Sequence, residues 1–210
     1  MAVSGVQKTV VILVAIIALI VGALVYKTTR EPALDREVLS RSGIFLFDTP
    51  RSVPEVELIS ADGEAWTRED LNGQWDLLFF GYTYCPDICP TTMAELRKIE
   101  NNLPAEQADQ LQITMISVDP NRDTPERMRE YLEYFSEGFK GASGDPEQLA
   151  SLASALSIAY IEPDTSEENY MVDHSGQVIM INPEGEYVGF LRAPLRPAEL
   201  SQWLPRIMNR

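Results

Sequence analysis

The sequence predicts one three-layer α/β domain preceded by a single apolar helix. Three observations predict it. Apolar runs of strand length alternate with segments of helical period through most of the chain. Two of those runs, Leu77-Leu78-Phe79-Phe80 and Ile113-Thr114-Met115-Ile116-Ser117-Val118, are nearly continuous, as central strands buried on both faces are. Near the N-terminus, Val10 to Tyr26 is a 17-residue stretch without a charge.

As a helix that stretch would be about 26 Å long, close to a hydrocarbon core of ~30 Å. Thr9, Thr28 and Thr29, with snorkelling Lys8 and Lys27, make up the difference. A cleaved signal peptide is the competing reading. The run is long for one, however, and no small-x-small cleavage site follows it. The expected division is a short cytoplasmic N-terminus at 1–8, a transmembrane anchor at 9–26, a linker at 27–42 and a folded domain at 43–210. Lys8 on one flank and Lys27 with Arg30 on the other leave the positive-inside count nearly tied.

Strands are expected at Ile44–Phe47, Val56–Ser60, Trp75–Tyr82, Ile113–Val118, Gln177–Ile181 and Tyr187–Leu191. Asn182-Pro183-Glu184-Gly185 is a turn that folds the last two into an antiparallel hairpin. Met93, Leu96, Ile99 and Leu103 recur at helical spacing, and Pro104 ends that helix. Thr124-Pro125 starts a second helix with Met128, Tyr131, Leu132 and Phe135 on one face. Asp145-Pro146 starts a third, carrying Leu149, Leu152 and Leu156, and Leu200, Trp203, Leu204 and Ile207 mark a last one. The order is strands, then β-α-β-α-α, then hairpin and helix, which fits a thioredoxin-like α/β/α domain. The acidic segment Glu162 to Asn169 has no apolar period and is expected to be an exposed, mobile loop.

Residues 31–210 carry all 32 Asp and Glu but only 14 of the 17 Lys and Arg, a formal charge of −18. Such a surface repels nucleic acid and anionic lipid and favours basic partner patches. In the first instance it is simply a well-solvated face. Two cysteines and one histidine in the whole chain exclude a disulfide framework and a four-ligand Cys/His zinc cage.

The chemistry concentrates in Gly81-Tyr82-Thr83-Tyr84-Cys85-Pro86-Asp87-Ile88-Cys89-Pro90, where a buried strand meets a helix. Residues four apart on a helix share a face, so Cys85 and Cys89 are expected to present both sulfurs to one point. A helix N-terminus also favours thiolates, which improves them as ligands and nucleophiles. Flanking prolines and Asp87 mark an exposed turn, against the alternative of inert core cysteines. His174 lies directly ahead of the hairpin, in a loop that passes beside that helix start in a thioredoxin-type sheet. Two soft thiolates plus one imidazole suit copper, Cu(I) especially, whereas zinc would take a fourth ligand.

Three motifs together, Gly81 to Pro90, Ser117-Val118-Asp119-Pro120-x-Arg122-Asp123-Thr124-Pro125 and Tyr170-Met171-Val172-Asp173-His174, resemble the Sco (SenC) copper-binding proteins of cytochrome c oxidase assembly. The single anchor helix matches that family's layout as well. The resemblance implies a copper ion held by Cys85, Cys89 and His174, and delivery toward the dinuclear copper centre of the oxidase. Reversible Cys85–Cys89 disulfide chemistry on the copper-receiving subunit, and contacts with other copper chaperones or thiol-disulfide oxidoreductases, are implied too. Asp119 and Asp87 are candidates for groups that orient the ligands, Asp119 against the alternative of a turn-forming residue. A thiol-disulfide oxidoreductase or a redox sensor on the same fold is the competing function. The three residues between the cysteines argue against it, because thioredoxin-type enzymes place two there. A dithiol that meets copper belongs in an oxidising compartment. The domain is therefore expected in the periplasm, on a bacterial inner membrane, or in the mitochondrial intermembrane space.

Overall fold

The computed structural model of the chain describes residues 5–29, 34–161, 165 and 170–209. It divides into two units, Met1–Asp35 and Arg36–Arg210. The first contains α1 (Gly5–Thr29), whose window Gln7–Leu24 has a mean hydropathy of 2.4 and buries none of its residues. At 1.5 Å per residue α1 spans about 37 Å, enough to cross a bilayer with some tilt. The expected end of the apolar helix at residue 26 is passed by one turn.

The second unit begins earlier than the sequence suggests. A short helix, α2 (Arg36–Arg41), occupies the end of the stretch expected as linker, and its Leu39 is 1% exposed. The Arg196 guanidinium donates to the Arg41 carbonyl at 2.9 Å, tying α2 into the domain. Six residues with one buried side chain are too few to show a helical period, so a polar reading of 27–42 missed it.

Among the described residues eight strands form one sheet, in the order β1-β8-β7-β4-β5-β6-β2-β3. They are β1 (Ile44–Ser52), β2 (Glu57–Ser60), β3 (Ala65–Thr67), β4 (Trp75–Gly81), β5 (Leu111–Ser117), β6 (Lys140–Ser143), β7 (Val178–Ile181) and β8 (Glu186–Leu191). Strands β4, β5 and β6 are parallel, and the others join antiparallel. The two continuous apolar runs take the centre: Phe79 and Phe80 on β4 and Met115 and Ile116 on β5 are all 0% exposed. Each such side chain contributes roughly 1.5–3 kcal/mol over leaving it in water. The expected hairpin is β7–β8, closed by Gly185 at φ +71°, where a side chain would also strike the Asn72 amide oxygen.

Helices flank the sheet as a thioredoxin-like α/β/α sandwich. They are α3 (Ile88–Asn102), α4 (Ala105–Ala108), α5 (Pro125–Glu133), α6 (Pro146–Ala155) and α7 (Pro197–Met208). Helices α3 and α7 pack together, α5 lies against β6, and α6 meets β2. Their apolar faces are those the spacing predicted, although Tyr131 and Trp203 are only half-buried. Thr124 caps α5 by accepting from Arg127 N, and Asp145 caps α6 by accepting from Glu147 N and Gln148 N. The segment 162–169, expected to be a mobile loop, lies outside the described residues apart from Thr165.

Candidate metal centre

Strand β4 delivers the chain to the site. Its last residue is Gly81, where there is no room for a side chain: an added Cβ would lie 2.6 Å from Phe79 Cε1 and 3.2 Å from Cys89 Sγ. The loop that follows turns at once, with Cys85 N–H donating to the Tyr82 carbonyl at 3.3 Å. Helix α3 starts at Ile88, so only Cys89 is helical, and Cys85 stands in the turn ahead of it. This corrects the expectation that both cysteines share a helical face. Cys85 Sγ instead accepts the Cys89 backbone N–H at 3.4 Å and takes the place of an N-cap oxygen.

Both thiols are free, Cys85 half-buried and Cys89 fully buried. They titrate in opposite directions. The Cys85 thiol is pulled down to about 5, chiefly by the Cys89 side chain donating to it, then by the N–H groups of Asp87, Cys89 and Ile88, against the opposing effect of burial. The Cys89 thiol is pushed up by that same contact with Cys85 and by burial. One thiolate and one thiol therefore share the site at neutral pH.

His174 closes on this pair through Cys89. Its Nε2 lies 3.6 Å from Cys89 Sγ, and its Nδ1 lies 3.1 Å from the Ser175 carbonyl oxygen. A carbonyl can only accept, which assigns the ring hydrogen to Nδ1 and turns the Nε2 lone pair toward the cysteines. The backbone holds the ring there through an antiparallel bridge between Tyr160 and His174, flanked by Ile161 N to Asp173 O and Ser175 N to Ala159 O. Phe79 and Tyr82 face the imidazole edge to face, each with ring centroids 6.0 Å away. Among the described residues no three His, Cys, Asp or Glu side chains already surround one point as a finished cage. Cys89 and His174 are paired, and Cys85 joins them through its contact with Cys89.

The two carboxylates expected to orient ligands behave differently. Asp87 occupies the N-cap position of α3 but is exposed and makes no side-chain cap; only its backbone N–H serves Cys85. Asp119 is fully buried and accepts from Arg122 Nε and from the Tyr170 hydroxyl, both at 2.6 Å, with no hydrogen bond to a cysteine or to His174. A third carboxylate, Asp123, was not singled out from the sequence. It accepts from Thr83 N at 2.9 Å, Thr83 Oγ1 at 2.7 Å and Ser117 Oγ at 2.6 Å, pinning the cysteine loop to the end of β5. Its only sequence signal is its place beside Arg122 in the second motif.

Comparisons with known proteins agree with one another. The SCO1/SenC family model matches residues 47–209. A Stutzerimonas stutzeri protein named as copper-binding is 40% identical over 178 residues, covering 84% of this chain and 87% of its own length. The structure of Arabidopsis thaliana ScoI with copper bound superposes with a TM-score of 0.68 at 31% identity, over 75% of this chain and 98% of that one. Bradyrhizobium japonicum ScoI with copper bound gives a TM-score of 0.66 at 32% identity, over 74% and 98% of the two chains. With the family model spanning nearly the whole sheet and every motif at the site, the chain belongs to the SCO1/SenC family.

Proposed function

We propose that the protein is a membrane-anchored copper metallochaperone that takes one copper ion between Cys85, Cys89 and His174 and delivers it to the dinuclear copper site of cytochrome c oxidase. The observation that carries this reading is the 3.6 Å approach of Cys89 Sγ to His174 Nε2 across the sheet end. With metal–sulfur and metal–nitrogen bonds of about 2.3 and 2.0 Å, two ligands about 120° apart stand about 3.7 Å from each other, so little movement is needed to admit an ion. Cys85 supplies the ready thiolate at the exposed side, and Cys89 gives up its proton as the ion arrives. Relatives whose names or structures specify copper support the choice of metal. Residues 9–26 of α1 serve as the anchor. The domain at 43–210 faces the periplasm, or the intermembrane space in a mitochondrion.

The opposed thiol shifts support thiol-disulfide exchange as a second use of the same pair. The Cys85 thiolate would attack a disulfide of the receiving subunit and expel one thiolate. Cys89, deprotonated, would then attack the mixed disulfide at Cys85, leaving Cys85–Cys89 oxidised and the subunit reduced by two electrons. Copper titration of the reduced full chain tests the main reading. One ion should bind per chain, Cys85→Ala or Cys89→Ala should abolish tight binding, and His174→Ala should weaken it with the fold intact. Catalytic turnover of disulfides by the protein, without stoichiometric copper binding, would favour the oxidoreductase instead.

A further inference from the structure

We infer that Arg122, held by Asp119, is a positioning residue: it clamps Tyr170, and through it the segment bearing His174, against the cysteine loop, and so governs how firmly copper is retained. The inference rests on the copper reading above.

Arg122 lies in the loop between β5 and α5, outside the cysteine and histidine motifs. Its Nε donates to Asp119 Oδ2 at 2.6 Å, while Asp119 Oδ1 accepts the Tyr170 hydroxyl at 2.6 Å. Its Nη2 donates to the Tyr170 carbonyl at 3.0 Å, and its Cζ sits 3.6 Å from the Tyr170 ring centroid. Tyr170 is thus gripped at its hydroxyl, its ring and its backbone. It stands four residues ahead of His174.

The same guanidinium faces the other loop. Its Cζ is 4.9 Å from the Tyr84 ring, next to Cys85, and 5.9 Å from the Tyr82 ring. Tyr82 in turn accepts the Val172 N–H at 3.3 Å and meets the His174 ring edge. The two ligand-bearing segments therefore converge on one cation, which the buried Asp119 carboxylate keeps in place. A planar fork that donates in two directions while stacking on a ring is a property of arginine that lysine lacks. This gives the Asp119 and Arg122 of the second motif a task that neither performs on the metal itself.

The test compares full chains in detergent micelles, loaded with one Cu(I) and competed with a Cu(I) chelator. Arg122→Lys, which keeps the charge, and Tyr170→Phe, which keeps the ring, spare the buried Asp119 an uncompensated charge or a large cavity. Each should weaken retention about tenfold, at the lower end of what residues that orient metal ligands are worth. In a His174→Ala background neither should cause further loss. Unchanged retention in both single variants, with His174→Ala still impaired, overturns the clamp and leaves the copper reading standing. An undiminished loss in the His174→Ala background also overturns it, because the clamp would then act by some route other than the histidine. If His174→Ala itself retains copper like the parent, the ligand reading fails and the clamp fails with it.

Discussion

Cys85 and Cys89 are chemically identical side chains four residues apart, and their surroundings make them opposites. Cys85 collects donors from the start of α3, whereas Cys89 faces Gly81, Phe79 and His174 in the interior. Alkylation by iodoacetamide should therefore modify Cys85 first, with a rate that rises through a midpoint near about 5. A midpoint near that of a free thiol, about 8.5, would contradict the donation to Cys85 from the Cys89 side chain and the N–H groups at the start of α3. Asp76 shows the same principle away from the site. It is 2% exposed, accepts from Thr114 Oγ1 through one oxygen, finds no partner for the other among the described residues, and burial holds its pKa well above the usual carboxylate range. A group whose pKa is raised by folding gives its full stability below its unfolded pKa and loses it as pH rises toward the folded value. Asp76→Asn should consequently stabilise the protein at pH 7, with the gain shrinking as the pH falls toward about 4. Urea midpoints at several pH values would check this, and a loss at pH 7 would count against it.

At the scale of elements, the site depends on a strand, a turn and a helix meeting without slack. Gly81→Ala should cost about 1–3 kcal/mol in urea denaturation, because its Cβ must displace Phe79 or the Cys89 sulfur. Strands β4 and β5, the β7–β8 hairpin and the caps at Thr124 and Asp145 were legible because their signals are local: apolar runs, a turn tetrapeptide, a capping residue before proline. Strand β6 was not legible. Lys140-Gly141-Ala142-Ser143 has no strand propensity, and its small residues answer to α5, since a Cβ on Gly141 would lie 2.6 Å from Leu132 Cδ1. Strand β3 and helix α2 were too short to show a period. At the site, the approach of His174 to Cys89 was legible from fold type and motif. The Asp123 bonds to Thr83, made across 40 residues, leave no trace in local pattern. Asp123→Ala should cost about 1–3 kcal/mol by orphaning the Thr83 N–H, and should loosen the cysteine loop as read by faster amide exchange at residues 82–85.

The whole molecule combines an apolar helix, with a formal charge of zero from Val10 to Tyr26, and a strongly acidic domain. Burying the 18-residue apolar window of α1 in lipid favours stable insertion, so the full chain should stay in the membrane pellet after alkaline carbonate washing. Protease added to sealed spheroplasts should then digest the domain from outside; protection would reverse the proposed orientation. The formal charge of −18 over residues 31–210 repels anionic lipid and favours partners with basic patches. At this scale everything turns on whether the three side chains converge on one ion. X-ray absorption of the full chain loaded with one Cu(I), compared with His174→Ala, reads this most directly. The account predicts two sulfur and one nitrogen scatterers in the parent, with the nitrogen lost in the variant. A sulfur-only shell in the parent, or the same nitrogen shell in both proteins, would contradict it.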